Sequence, residues 1–296
     1  MSIAHFEQDL IEFASSWWTD EWHSLDKRDQ VYLSKLSTKF EPIVKFSDTG
    51  QSYCVGFECL ALGPNGESYG AINSRLESSP IAKEVWEFML ALAAIKSCQK
   101  LIAHLPWQKM QNIFFTINLS PEMIASNKFK AFIRFYSFPL FYFEINEKIV
   151  DEHCNNIIAA ANAYGGKFIA DDLNSWTDEE AKKVLLPKVL MTKMDATNQN
   201  GSGFAEVIQR CIEGKISNDE FDSIISAHMI EDKPLILEGF EEDIFEDFLL
   251  TRKQISSRIH AQGYNVPLES PWNNYLYALS GRYENYDGGF FVFEYP

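Results

Sequence analysis

Residues 165–176 read GGKFIADDLNSW. A glycine pair leads into a short apolar run, Phe168-Ile169-Ala170, which ends on two adjacent aspartates, Asp171 and Asp172. An apolar run bounded by turn residues reads as a buried strand. Two like charges at its end have two readings. One is a strand end whose aspartate caps the next helix; the other is a metal site.

The same pattern recurs on both sides. From about residue 50, short apolar runs alternate with helix-like stretches. The runs are YCVGFECLAL (53–62), IFFTINLS (113–120), LFYFEIN (140–146), KFIADD (167–172), VLMTKMD (189–195), PLILEGFE (234–241) and, more weakly, RIHAQGY (258–264). Between them lie EVWEFMLALAAIKSC (84–98), DEEAKKVLL (178–186) and FEDFLLTRKQISSRI (245–259). Strands alternating with helices predict a parallel α/β sheet. Several such units over about 225 residues fit a TIM-like (β/α)8 barrel better than an open doubly wound sheet. No Gly-rich phosphate loop follows the first run, which argues against a nucleotide-binding doubly wound fold.

The bulk composition suits such a fold. Of 296 residues, 46% are hydrophobic and 14% aromatic, so a large core is available and global disorder is excluded. A net charge of −16 argues against a nucleic-acid polymer as partner, because that needs a basic surface. The five cysteines, Cys54, Cys59, Cys98, Cys154 and Cys211, form no CxxC pair and suit reduced thiols in a cytoplasm. The first residues, MSIAHFEQDLIEF, lack the basic start and apolar core of a signal peptide. No apolar run reaches the roughly 18 residues of a membrane span. The expectation is a soluble, cytoplasmic protein.

Residues 1 to about 45 read as helices. Phe6, Leu10, Ile11, Phe13 and Ala14 form a helical stripe, with Trp17, Trp18 and Trp22 beyond it as packing residues. The expected organisation is a helical N-terminal extension over 1–48, a barrel over 49–272, and a C-terminal tail over 273–296 packed on the barrel.

Each apolar run ends on, or just beyond, a charged or amide residue: Glu58, Asn118, Glu144, Asp171 with Asp172, Lys193 with Asp195, Glu238 and Gln262. In a barrel the C-terminal ends of the strands meet at one rim, where active sites sit. So many carboxylates at one rim would repel one another unless neutralised. Hard cations such as Mg²⁺ and Mn²⁺ prefer carboxylate, amide and water oxygens. Adjacent aspartates can serve two ions, and two metals about 3.5–4 Å apart clamp a phosphodiester for hydrolysis. Lys193 is placed to act on the nucleophilic water or the developing charge. Taken singly, each residue has a plainer reading: Glu58 a surface charge, Asn118 a cap before Ser120-Pro121, Lys193 a partner of Asp195.

Together the residues resemble a known family, the EAL domain of cyclic di-GMP phosphodiesterases. The Glu-Ala-Leu signature has its counterpart in Glu58-Cys59-Leu60, and Asn-x-Ser-Pro in Asn118-Leu119-Ser120-Pro121. Glu-x-Thr-Glu is similar to Glu144-Ile145-Asn146-Glu147, the Asp-Asp pair to Asp171-Asp172, and Lys-x-Asp to Lys193-Met194-Asp195. Glu-Gly-Val-Glu resembles Glu238-Gly239-Phe240-Glu241, and Gln-Gly-Tyr resembles Gln262-Gly263-Tyr264, with Pro267 beyond. The resemblance spans about residues 50 to 272. It implies a TIM-like barrel with an irregular first strand, and hydrolysis of cyclic di-GMP to linear pGpG with two Mg²⁺ or Mn²⁺ ions. It makes Glu58, Asn118, Glu144, Asp171 and Asp172 metal ligands. Lys193 would contact the nucleophilic water, Glu238 would serve as ligand or acid–base group, and Gln262 would orient metal-bound water. Glu147, Asp195 and Glu241 would brace the site from behind. Substrate contacts fall near Leu60, Leu62 and Arg75. A homodimer is the family's assembly; a protein partner is the other association considered.

This sequence departs from the family in four places. Cys59 replaces alanine; strand neighbours of Glu58 face away from it, so this reads as a core substitution. Leu62 stands where the family has a ligand-contacting arginine. Losing that cation predicts binding weaker by about 10- to 100-fold unless Arg75 compensates. Leu173-Asn174-Ser175-Trp176 replaces Phe-Gly-Thr-Gly, placing a bulky residue where glycine turned tightly. The segment from Asn198 to His228 is longer than usual. The altered loop keeps open a second function, a degenerate EAL-like domain acting as a non-catalytic cyclic di-GMP receptor or as a protein-interaction module.

Overall fold

The computed structural model describes residues 3–46, 52–77, 83–103, 113–136, 140–164, 167–172, 178–195, 207, 210, 213–217, 219–221, 223, 233–238, 259–262 and 291–292.

Helices α1 (Ile3–Trp17), α2 (Thr19–Ser24) and α3 (Lys27–Ser34) open the chain. Asp26 caps α3, accepting hydrogen bonds from the Arg28 and Asp29 amides. Leu10, Phe13, Ala14, Trp18 and Trp22 are buried. Trp18 packs between Phe13 and Phe88 of helix α5 (Lys83–Ala103), and its Nε1 donates to Glu84 Oε1 at 3.0 Å. The tryptophans therefore fasten the N-terminal helices to the next layer.

The helical reading holds as far as Ser34. Ser37–Phe46 is instead a strand, β1. Its sequence, STKFEPIVKF, carries Pro42, which cannot sit inside a helix, among aromatic and β-branched residues that favour a pleated surface. Pro42 adjoins a register irregularity between Ile43 and Val44, the kind of place where a strand tolerates proline.

The other strands are β2 (Ser52–Leu62), β3 (Phe114–Asn118), β4 (Phe141–Ile145), β5 (Phe168–Ala170), β6 (Val189–Asp195), β7 (Leu235–Glu238), β8 (Ile259–Gln262) and the short β9 (Phe291–Val292). Strands β2 to β8 pair in sequence order, each parallel to the next. β1 runs antiparallel and pairs with β2 on one side and β8 on the other, which closes the ring. The architecture is thus an α/β barrel whose first strand is the irregular one. β9 adds to β1 at Lys39 and Phe40.

Strand periodicity sorts the side chains into two layers. Ile43, Phe114, Ile169 and Ile236, with Tyr142 and Met191 against them, form a small cluster on the interior face. Their strand neighbours Phe115, Phe143, Phe168, Ala170 and Leu235 belong to the main core, which also takes in the apolar residues of α5. Strands β2 and β3 approach so closely that a Cβ on Gly56 would lie 2.8 Å from the Phe114 carbonyl oxygen.

Helices α4 (Tyr69–Leu76), α6 (Pro121–Ala125), α7 (Phe129–Tyr136), α8 (Glu147–Tyr164) and α9 (Glu179–Leu185) lie between strands. Ser120 Oγ accepts from the Met123 amide, and Pro121 opens α6, so β3 turns into helix directly after Leu119. Among the described residues no helix is long and apolar enough to cross a membrane. The altered loop Leu173–Trp176, Glu241, the helical stretch up to Arg258, most of the segment from Asn198 to His228, and the tail apart from β9 lie outside the described residues.

Candidate functional site

Above the apolar interior layer the same strand faces turn polar. Two residues past Phe114 comes Thr116, then Asn118; past Tyr142 comes Glu144; past Ile169 comes Asp171; past Met191 comes Lys193. The parallel register sets Glu58 beside Thr116 and Asn118 beside Glu144. Residues scattered over 135 positions of sequence are thereby brought to one end of the ring.

Lys193 stands at the centre. Its side chain is 2% exposed, and Nζ donates to Glu58 Oε2 at 3.0 Å and to Glu144 Oε2 at 3.2 Å. Asp171 Oδ1 lies 3.8 Å from the same nitrogen. Asn118, exposed at the mouth, donates from Nδ2 to Glu58 Oε1 at 2.8 Å. Glu58 is therefore held at both oxygens. Glu144 is not: among the described residues, Oε1 is buried without a hydrogen-bond partner.

This crowding shifts the acids. Burial, and then the charge of Glu58, push the Glu144 carboxyl well above the usual carboxylate range, with the Lys193 ammonium opposing. Asp171 is pushed up to about 6, chiefly by burial; Lys193 opposes, while Glu58 and Asp172 add to the rise. These shifts mark a cluster of buried carboxylates that favours positive charge.

Asp172 has a left-handed backbone, φ +48°, a conformation aspartate adopts more readily than most residues. The helix-capping role open to the aspartate pair falls elsewhere. Asp178 caps α9, accepting from the Glu180 and Ala181 amides.

Other candidates are placed less fully. Asp195, Glu238 and Gln262 end β6, β7 and β8, and Glu147 begins α8; their side chains are outside the described set. Leu60 and Leu62 are half-buried near the end of β2. Arg75, exposed on α4, lies over the Tyr32 ring at 4.0 Å. Cys59 faces away from the cluster into the main core, with Sγ 3.3 Å from Cys98 Sγ.

Thr116 is a residue the sequence reading passed over. Its hydroxyl is buried on the interior face, inside an apolar run that gives no sign of it.

The donor set is a hard one: carboxylates and an amide, with Glu144 Oε1 unsatisfied among the described residues. Its chemistry fits Mg²⁺ or Mn²⁺. As the side chains stand, the ammonium occupies the middle. Among the described residues, no group of three or more His, Cys, Asp or Glu is arranged to hold a metal ion.

No family model matches the chain, and no curated protein matches it in sequence. Solved structures do. The PaMucR phosphodiesterase in complex with c-di-GMP is similar at a TM-score of 0.52 and 15% identity, over 78% of this chain and 94% of that one. The EAL enzyme Bd1971, with cAMP and cyclic-di-GMP bound, is similar at 0.53 and 15%, over 87% of this chain and 65% of that one. Klebsiella pneumoniae BlrP1, in a manganese and cy-diGMP complex, is similar at 0.52 and 18%, over 78% of this chain and 55% of that one. The chain thus spans nearly all of the first and about two thirds or less of the others. At such identities the likeness is one of fold: this chain has the barrel seen in structures of EAL enzymes.

Proposed function

We propose that the chain is a metal-dependent phosphodiesterase that hydrolyses cyclic di-GMP to linear pGpG. The observation that carries the reading is the convergence of Glu58, Asn118, Glu144, Asp171 and Lys193 at one end of a barrel of this type. The fold likeness to proteins solved with cyclic di-GMP supports the ligand.

In this reading Glu58, Asn118, Glu144 and Asp171 hold Mg²⁺ or Mn²⁺, with Asp172 serving a second ion. Divalent cations bound there supply Lewis acidity and neutralise charge developing on the phosphodiester. The Asn118 amide fixes the orientation of the Glu58 carboxylate through the bond to Oε1. Lys193 carries a buried positive charge held by Glu58 and Glu144, ready to stabilise negative charge at the reacting phosphate. Glu238 and Gln262, at the ends of β7 and β8, complete the rim as acid–base and water-orienting groups. Glu147, Asp195 and Glu241 brace it. Leu60, Leu62 and Arg75 belong to the substrate side. A cytoplasmic location goes with this reading.

The experiment is incubation of purified protein with cyclic di-GMP and Mn²⁺ or Mg²⁺, followed by nucleotide separation, with Glu58→Ala alongside. The expected result is pGpG from wild type, none from the variant and none in EDTA. Bound but intact cyclic di-GMP would replace this reading with the receptor; no binding would leave the interaction module.

A further inference from the structure

Cys59 and Cys98 reach the main core from two different elements, strand β2 and helix α5, 39 positions apart in sequence. Their sulfurs lie 3.3 Å apart, within reach of a hydrogen bond from one thiol to the other. That is closer than the roughly 3.5–4.0 Å at which carbon atoms pack. Both thiols are free and both are buried, Cys59 at 5% exposure and Cys98 at 0%. Neither carrier is loose. Cys59 is held in the ladder between Phe40 of β1 and Ile117 of β3, and Cys98 sits within the 21 residues of α5. Core packing asks only for apolar volume at each position; it does not ask that both be cysteine and meet at sulfur. A disulfide requires this gap to narrow by about 1 Å, within the reach of small side-chain rotations.

We propose that Cys59 and Cys98 are a redox pair that hydrogen peroxide closes to an intramolecular disulfide. The sulfur of Cys59, the less deeply buried of the two, attacks one peroxide oxygen. The O–O bond breaks, the sulfur becomes a sulfenic acid, and the other oxygen leaves as water. The Cys98 sulfur then forms the S–S bond and displaces the sulfenic hydroxyl as a second water. Two thiols thereby lose two electrons and two protons to one peroxide. Burial pushes the Cys59 thiol well above its usual range, with Cys98, Glu58 and Glu144 adding to the rise, so the first step is slower than at an exposed thiol. The second step is fast by comparison, because the partner sulfur is already in place. The tie fastens β2 to α5 one residue from Glu58, on the opposite face of the strand. It needs neither metal nor nucleotide, so it stands apart from the phosphodiesterase reading.

The test treats the folded protein with hydrogen peroxide, alkylates the remaining thiols, and maps peptides by mass after digestion without reduction. The expected result is one dominant cross-link, Cys59 to Cys98, with the loss of two hydrogens, reversed by dithiothreitol. In urea the same treatment should scatter links among the five cysteines. Cys154, half-buried and outside the pair, serves as the control: Cys154→Ala should leave the link in place. Cys98→Ala should abolish it and leave Cys59 as a sulfenic acid that dimedone traps. Cys59 and Cys98 both still alkylated on later unfolding, after peroxide has modified Cys154, would overturn the proposal. So would either sulfur carried on to sulfinic acid with no link formed, or a Cys59–Cys98 link that appears only in urea.

Discussion

Lys193 is a buried ammonium whose partners are carboxylates from other strands. Removing one member of such a group leaves charge buried without its answer, which typically costs about 3 kcal/mol or more. Lys193→Met should lower the unfolding free energy of the metal-free protein by that amount, read from urea denaturation, and Mn²⁺ should restore part of it. A second buried acid makes a separate prediction. Glu87 on α5 is 3% exposed, accepts from Tyr69 Oη at 3.0 Å, and lies 3.7 Å from Lys83 Nζ. Burial raises its carboxyl to about 7, with the nearby charge of Glu122 adding to the rise. The unfolded chain releases this proton near the ordinary value of 4.5 and the folded chain near 7. Stability from Glu87 is therefore full below about pH 4.5 and falls as pH rises toward 7. Glu87→Gln should gain on wild type by up to about 3 kcal/mol between pH 5 and pH 8, read as the difference between their denaturation midpoints. Single residues were the most legible part of the sequence where charge stood out at the end of an apolar run, as at Glu144, Asp171 and Lys193. Thr116, within an apolar run, gave no such sign.

Strands β2 to β8 were legible because each is a short apolar run bounded by polar or turn residues. β1 was not. Lys39, Glu41 and Lys45 interrupt it, and it follows helices without a glycine break, so its extended form depends on pairing with β2 and β8. Tertiary pairing here overrides local pattern. The contact of β2 with β3 can be tested at Gly56, where an added Cβ would meet the Phe114 carbonyl oxygen at 2.8 Å and the Phe114 ring at 2.9 Å. Gly56→Ala should destabilise by about 1–3 kcal/mol. It should also weaken Mn²⁺ binding, because Glu58 is carried two residues further along the same strand. Alanine tolerated with unchanged urea midpoint and Mn²⁺ affinity would contradict that close approach.

The barrel class followed from the alternation of strands and helices, and the closed ring agrees with it. What the pattern left out was how the ring closes and how the N-terminal helices attach. The attachment depends on Trp18, 1% exposed, packed on Phe13 and Phe88 with Lys128 Nζ 4.2 Å above its ring. Trp18→Ala should cost about 3–5 kcal/mol. In a thermal melt it should lower the transition of the whole chain, since the helices and α5 share one core. A separate early transition would instead mark the helices as an independent unit. Function at this level turns on whether the interior polar face is a cation centre. The most direct measurement is anomalous diffraction from crystals soaked in Mn²⁺. A peak within coordination distance of Glu58, Asn118, Glu144 and Asp171, with Lys193 moved off the centre, is the expected result. Full soaking with no peak there, and Lys193 still between Glu58 and Glu144, would contradict it.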